Sequence, residues 1–118
     1  MIHVVLGAST NERRYSYRAT EALSKNGYRV LPVGIRSGDI NGEKIVKEFP
    51  LMIEIDTIAM YLSEDNQAKY EDLILQNLPR RVVFNPGTHN AEFQKTLMQK
   101  GVEVLNDCVL VMLSNGRY

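Results

Sequence analysis

The stretch Ile2-His3-Val4-Val5-Leu6-Gly7-Ala8-Ser9-Thr10 decides the fold. Ile2 to Leu6 is a short apolar strand, the first of several that alternate with helices, and that alternation requires a parallel sheet. The run breaks at Gly7 into small and hydroxyl-bearing residues, then into a polar turn carrying Arg13, Arg14 and Ser16. A helix is expected next, with Ser16 as its N-cap and Asn26-Gly27 as its stop, because glycine takes the left-handed conformation that ends helices. Its inward face would be Ala19, Ala22 and Leu23. A second apolar run at residues 28–33 closes on Gly34-Ile35-Arg36. Strand, helix and strand in this order form a βαβ unit, and its first loop has the residues of a phosphate cradle at a helix N-terminus.

The same alternation continues along the chain. A third strand is expected at 57–62, followed by Ser63 as N-cap with Glu64 and Asp65 in the first turn, where the helix dipole favours anions. Tyr70, Leu73, Ile74 and Leu78 then repeat at helical spacing until Pro79. A strand at 81–84, a helix at about 90–100 stopped by Gly101, and a strand at 102–105 complete the pattern. Residues 34–56, with Gly34, Gly38, Gly42 and Pro50, read as loop with a short helix around 44–49. The apolar tail Val109-Leu110-Val111-Met112-Leu113 fits a final strand, an inward-packed tail or a dimer contact, which leaves a homo-oligomer open. The fold class is α/β, a Rossmann-like doubly wound sandwich of five parallel strands in order 3-2-1-4-5, with a ligand crevice between strands one and four.

Size and charge narrow the function. A chain of 118 residues has room for one core and reads as a single domain, 1–118. Fourteen basic and fourteen acidic residues cancel, which argues against a nucleic-acid or anionic-membrane partner. No apolar run reaches membrane-spanning length, and the N-terminus enters a strand rather than a signal peptide. The lone Cys108 cannot form an internal disulfide and fits a reducing, cytoplasmic setting.

In a doubly wound sheet, ligands bind beyond the carboxyl ends of the strands, so four loops are candidates: 7–16, 34–36, 60–63 and 85–90. Gly7 permits close backbone approach, Ser9 and Thr10 offer hydroxyls, and Arg13 or Arg14 can neutralise a pyrophosphate. The dinucleotide fingerprint of three spaced glycines is absent, since no glycine follows Gly7 until Gly27. A carboxylate after the second strand would accept from ribose hydroxyls, whereas Arg36 suits a phosphorylated ribose and points to NADP or coenzyme A over NAD or FAD. The loop Asn85-Pro86-Gly87-Thr88-His89-Asn90 places a tight turn before a helix N-terminus, where it could close on an anion.

These residues resemble the small stand-alone CoA-binding proteins, relatives of the N-terminal CoA-binding domain of the succinyl-CoA synthetase alpha subunit. The resemblance runs through Gly7-Ala8-Ser9, Arg14-x-Ser16-Tyr17, the segment from Gly27 to Val33, Ile40-x-Gly42-Glu43-Lys44, Pro86-Gly87, Lys100-Gly101-Val102 and Asn106-Asp107-Cys108. It implies that Gly7, Ala8, Ser9, Arg14 and Ser16 hold the CoA phosphates and that Val33, Gly34 and Arg36 lie near the adenosine and its 3′-phosphate. It further implies that Tyr61 and Leu62 pack near the adenine or upper pantetheine arm, with Pro86, Gly87 and Thr88 facing the arm. The chain departs from the family at Gly34-Ile35, where Asn-Pro is common, and at Phe84-Asn85, where an aromatic with Gln is common.

No catalytic constellation is visible: His3 sits inside an apolar strand, His89 in a turn, and no metal-spaced cluster or Ser-His-Asp order occurs. The residues therefore favour non-catalytic binding of coenzyme A or an acyl-CoA. An NADP-type nucleotide-binding oxidoreductase and a ligand-free structural or interaction domain stand as alternatives.

Overall fold

In the computed structural model, which describes residues 1–118, the elements follow the expected alternation. They are β1 (Ile2–Leu6), α1 (Tyr15–Lys25), β2 (Val30–Val33), β3 (Asp39–Ile40), β4 (Glu43–Lys44), β5 (Ile55–Met60), α2 (Glu64–Gln76), β6 (Arg81–Phe84), α3 (Ala91–Gln99), β7 (Glu103–Asn106) and α4 (Val109–Ser114). Five strands form one parallel sheet in the order β2-β1-β5-β6-β7. Successive side chains along each strand serve opposite faces. Val4, Leu6, Ile58, Met60, Val82 and Phe84 join Tyr70 and Ile74 of α2 and Phe93 and Leu97 of α3 in one core. Val5, Ala59 and Val83 join Ala19 and Leu23 of α1 and Val109 and Met112 of α4 in the other. Helices thus cover both faces, which is the doubly wound α/β architecture.

The third long strand takes a different place from the expected one. The run at 55–60 lies directly against β1, with Val4 opposite Ile58 and Leu6 opposite Met60, not outside β2. The position outside β2 is held by a single parallel bridge between Val33 and Val46. Counting that bridge as the third strand restores the 3-2-1-4-5 pattern and moves the switch point to between β1 and β5. Pro32 supplies the physical reason. Its carbonyl accepts from the Val46 amide on the outer side, where proline has no N–H to return. A full strand cannot pair well there, whereas β5, buried on both faces, needs the two neighbours β1 and β6.

Several local expectations also change. No helix forms around 44–49. Asn41 and Gly42 both adopt positive φ, at 52° and 86°, and turn the chain into the small antiparallel hairpin β3-β4. Helix α1 starts two residues earlier than expected, with Arg14 at the N-cap and Ser16 buried inside the first turn. Its inward face is Ser16, Ala19, Thr20 and Leu23, while Ala22 is half-buried. The apolar tail becomes helix α4, packed inward beneath α1. The expected N-cap at Ser63 is found, without a side-chain cap bond. Helix α3 begins one residue later than expected, capped by Asn90, whose side chain accepts from the Phe93 amide. No helix is long and apolar enough to cross a membrane.

At the amino ends of the strands, Tyr118 folds back onto the sheet. Its hydroxyl lies 2.8 Å from Nδ1 of His3, and its ring centre is 4.4 Å from the Arg81 guanidinium carbon. His3 is thereby built into an aromatic cluster with Tyr28 and Tyr118, and burial lowers its pKa.

Candidate functional site: a cationic cavity at the carboxyl ends of the strands

The loops that leave β1, β2, β5 and β6 surround a cavity of about 690 Å³. Glycine lets them meet. The amides of Gly7 and Ala8 both donate to the Val33 carbonyl at 2.9 Å, tying the first loop to the end of β2. Gly7 has φ of 99°, and a Cβ there would stand 3.1 Å from the Tyr61 backbone. A Cβ on Gly34 would collide with the Ala8 carbonyl, and one on Gly38 with the Thr10 methyl. Three loops therefore interlock at contact distance, and their backbones form the floor of the cavity.

The first loop then turns into α1 through local polar bonds. Ser9 Oγ accepts from the Asn11 amide at 3.1 Å, and Asn11 Oδ1 accepts from the Arg13 amide at 3.0 Å. Helix α1 has no side-chain cap and no acidic residue in its first turn. Its leading N–H groups have no acceptor within the helix, and the dipole there favours an anion.

All of the sequence-selected residues line this cavity except Arg13 and Ser16. Gly7, Ala8, Ser9, Thr10 and Arg14 come from the first loop, and Val33, Gly34 and Arg36 from the second. Tyr61 and Leu62 follow β5, and Pro86, Gly87 and Thr88 follow β6. Arg13 stands outside the cavity and is exposed. Ser16 faces inward, and its carbonyl accepts from the Thr20 hydroxyl at 2.8 Å. Two lining residues have commitments of their own. Thr88 donates its hydroxyl to the Asn85 carbonyl at 2.7 Å, and the Tyr61 hydroxyl is buried without a partner. Burial raises the Tyr61 pKa well above the ordinary phenol range.

The structure adds Asn11, Ile35, Ser63, Asn66, Lys69 and Tyr70 to the lining. The last four share one face of the start of α2, at the three- and four-residue spacing of a helix. That spacing, beginning at the Ser63 cap, was the signal in the sequence that could have found them.

The electrostatics of the cavity are one-sided. Arg14, Arg36 and Lys69 line it, and no aspartate or glutamate does. None of the three makes an ion pair, although ion pairs occur elsewhere in the chain. A second hollow, about 400 Å³, lies at the opposite ends of the strands, among Met1, Met52, Ile53 and Leu78. Its one cation, Arg80, is already paired with Asp56 and Glu103. Of the two, the first carries unpaired cationic side chains. His89 lies outside it, exposed, with Nδ1 3.3 Å from the Asn106 side chain. His3 is at the far end of β1.

A parallel sheet covered by helices on both faces, with a cationic crevice beyond the carboxyl ends of its strands, is the Rossmann-like, doubly wound class of α/β protein. Residues 3–114 match the family described as "CoA binding domain", and the chain belongs to that family. It is similar to a crystal structure of an uncharacterized protein, with 40% identity over 98% of this chain and 96% of that one and a TM-score of 0.93. It is also similar to a Thermus thermophilus structure, cell-free ID.343, at 25% identity, covering 99% of this chain and 90% of that one, with a TM-score of 0.87. A hypothetical protein from Pyrococcus horikoshii OT3 shares the fold at 20% identity, covering 96% of this chain and 81% of that one, with a TM-score of 0.85. No curated protein sequence matches the chain.

Proposed function

We propose that this protein is a non-catalytic binding module for coenzyme A or an acyl-CoA. The observation that carries the reading is the set of three unpaired cations, Arg14, Arg36 and Lys69, around a cavity without a single carboxylate. In a chain with equal numbers of acidic and basic residues, that segregation suits a ligand bearing several negative charges. Coenzyme A carries a diphosphate and a 3′-phosphate. The residues present fit it: a glycine-opened floor, an uncapped helix N-terminus and guanidinium groups on separate loops. Arg14 at the start of α1 would take the diphosphate. Arg36, just beyond β2, would take the phosphorylated ribose. The cavity holds no histidine, cysteine or carboxylate to act as base, acid or nucleophile, which supports binding without chemistry.

Calorimetric titration with CoA, dephospho-CoA and NADP in parallel tests this. Binding of CoA with weaker binding of dephospho-CoA supports the module and a 3′-phosphate contact. Tight NADP binding without CoA binding would replace it with a dinucleotide reading. No heat with any of the three would remove the ligand altogether.

A further inference from the structure

The geometry points to Gln67, which does not line the cavity, as the positioning residue that fixes the spacing of its walls. This rests on the cavity being the CoA site. Gln67 is fully buried in the second turn of α2. Its Nε2 donates to the Leu62 carbonyl at 2.8 Å and to the Thr88 carbonyl at 2.7 Å. Those two carbonyls belong to different loops, one leaving β5 and the other leaving β6, and both residues line the cavity. The Gln67 Oε1 in turn accepts from Asn90 Nδ2 at 3.0 Å, which settles which way the carboxamide points. Asn90 is held by its own cap bond to Phe93 at the start of α3.

One side chain therefore joins three walls. Asn66, Lys69 and Tyr70 flank Gln67 on α2 and face the cavity, so the helix that carries the Lys69 ammonium is bolted to both loops. Both hydrogens of the amide are used, and its oxygen is paired. A buried polar network satisfied in this way holds one geometry rigidly. Without it, the buried Thr88 carbonyl and the part-buried Leu62 carbonyl would lose their donor, and the loops would separate to reach water. The cavity is then set to its bound width before the ligand arrives, and the ordering cost on binding is small. The other hydrogen bonds between α2 side chains and the 85–90 loop go to Asn90 Nδ2, which donates to Gln67 at 3.0 Å and to Glu71 at 3.3 Å, so Gln67 alone reaches the Thr88 backbone.

Gln67→Met keeps the length of the side chain and removes both donors. Its control is Ile74→Val on the same helix, a core substitution remote from the cavity. CoA affinity of Gln67→Met is expected to fall at least tenfold, measured well below its melting temperature. Ile74→Val is expected to lose thermal stability while keeping its CoA dissociation constant within twofold. Asn90→Ser, which retains a residue able to cap α3 but frees the Gln67 carboxamide to rotate, is expected to show a smaller loss in the same direction.

Hydrogen exchange at the Thr88 amide, bonded to the Asn85 carbonyl at 3.1 Å, gives a readout without ligand and should speed up in both variants at the 67–90 contact. CoA binding within twofold of wild type in Gln67→Met would overturn the positioning role and leave the CoA site standing. Wild-type protein that binds no CoA would overturn the site. The exchange rate at Thr88 would then decide alone whether Gln67 holds the loop, and unchanged protection in Gln67→Met would overturn that too. Should Gln67→Met fail to fold, Asn90→Ser carries the same two readouts, and unchanged affinity and exchange in it would overturn the proposal.

Discussion

Gly34 lies so close to Ala8 that a methyl group on its Cα would overlap the Ala8 carbonyl oxygen. The obstacle is backbone, held in turn by the Ala8 amide bond to Val33, so it cannot rotate aside as a side chain would. The loops after β1 and β2 are in contact because this position has no side chain. Gly34→Ala should push them apart and cost about 1–3 kcal/mol, as overpacking does at a rigid site. A urea unfolding midpoint lower than wild type, together with weaker CoA binding, is the expected result. An unchanged midpoint would show that the two loops tolerate separation.

The three cations should act separately and in a salt-dependent way. Charge-assisted hydrogen bonds contribute about 1.5–3 kcal/mol each, so Arg14→Ala, Arg36→Ala and Lys69→Ala should each weaken CoA roughly tenfold or more. Lys95→Ala, on the exposed surface of α3 away from the cavity, should leave binding alone. All three side chains reach solvent, and the screening length shrinks from about 10 Å at 0.1 M salt to about 3 Å at 1 M. Wild-type affinity should therefore fall as salt rises, and the fall should be shallower in each variant. Salt-independent affinity would mean that the charges do not touch the ligand.

Much of this cavity was legible because the rule that locates it is topological. Once β1, β5 and β6 announce themselves as apolar runs, their following loops must gather at one end of a parallel sheet, and glycines, hydroxyls and arginines there stand out. The order of the strands was less legible, because β1 accepts either neighbour equally well by composition. Only Pro32, with no amide to offer the outer edge, hinted that the long strand at 55–60 belonged on the other side. Asn41-Gly42 is a hairpin signal in its own right, obscured by the glycines around it. Val109 to Leu113 has five apolar residues in a row, which carry neither a period of two nor one of 3.6, and only the contact with α1 makes them a helix. Ser16 misled for a related reason: serine at a helix start suits a cap, but α1 begins early enough that it turns inward.

Acid should unfold the protein partly through Asp56. Arg80 donates to its two oxygens at 2.9 and 3.1 Å and, with help from the Thr57 hydroxyl, holds its carboxyl at about 2 against the opposing effect of burial. The folded value lies below the unfolded one, so the unfolded chain takes the proton first as pH falls. The contribution is complete above about pH 4 and is lost as pH drops through about 2. Its size is at most about 2 kcal/mol, less once solvent around the half-exposed Arg80 is counted. Denaturant unfolding from pH 6 to pH 2 should show this loss, and Asp56→Asn should flatten that part of the curve. A variant that loses stability as steeply as wild type over that range would assign the acid sensitivity elsewhere.

The Tyr61 hydroxyl is the one buried side-chain polar atom without a hydrogen-bond partner. Its ring packs with the core cluster that α1 and α4 share, so the phenol oxygen has been taken from water with nothing given in exchange. A buried donor left unpaired costs about 1–3 kcal/mol, and removing it leaves the ring contacts in place. Tyr61→Phe should therefore be neutral or raise stability by about 1 kcal/mol, in contrast to the loss seen when a paired buried hydroxyl is removed. The same isolation keeps the phenol protonated where exposed tyrosines ionise, and burial also raises Tyr118 and Tyr17, so alkaline titration of the native protein should lag behind the unfolded chain and Tyr61→Phe should remove part of that lag. A stability loss larger than about 1 kcal/mol in Tyr61→Phe would mean that the hydroxyl has a hydrogen-bond partner in solution.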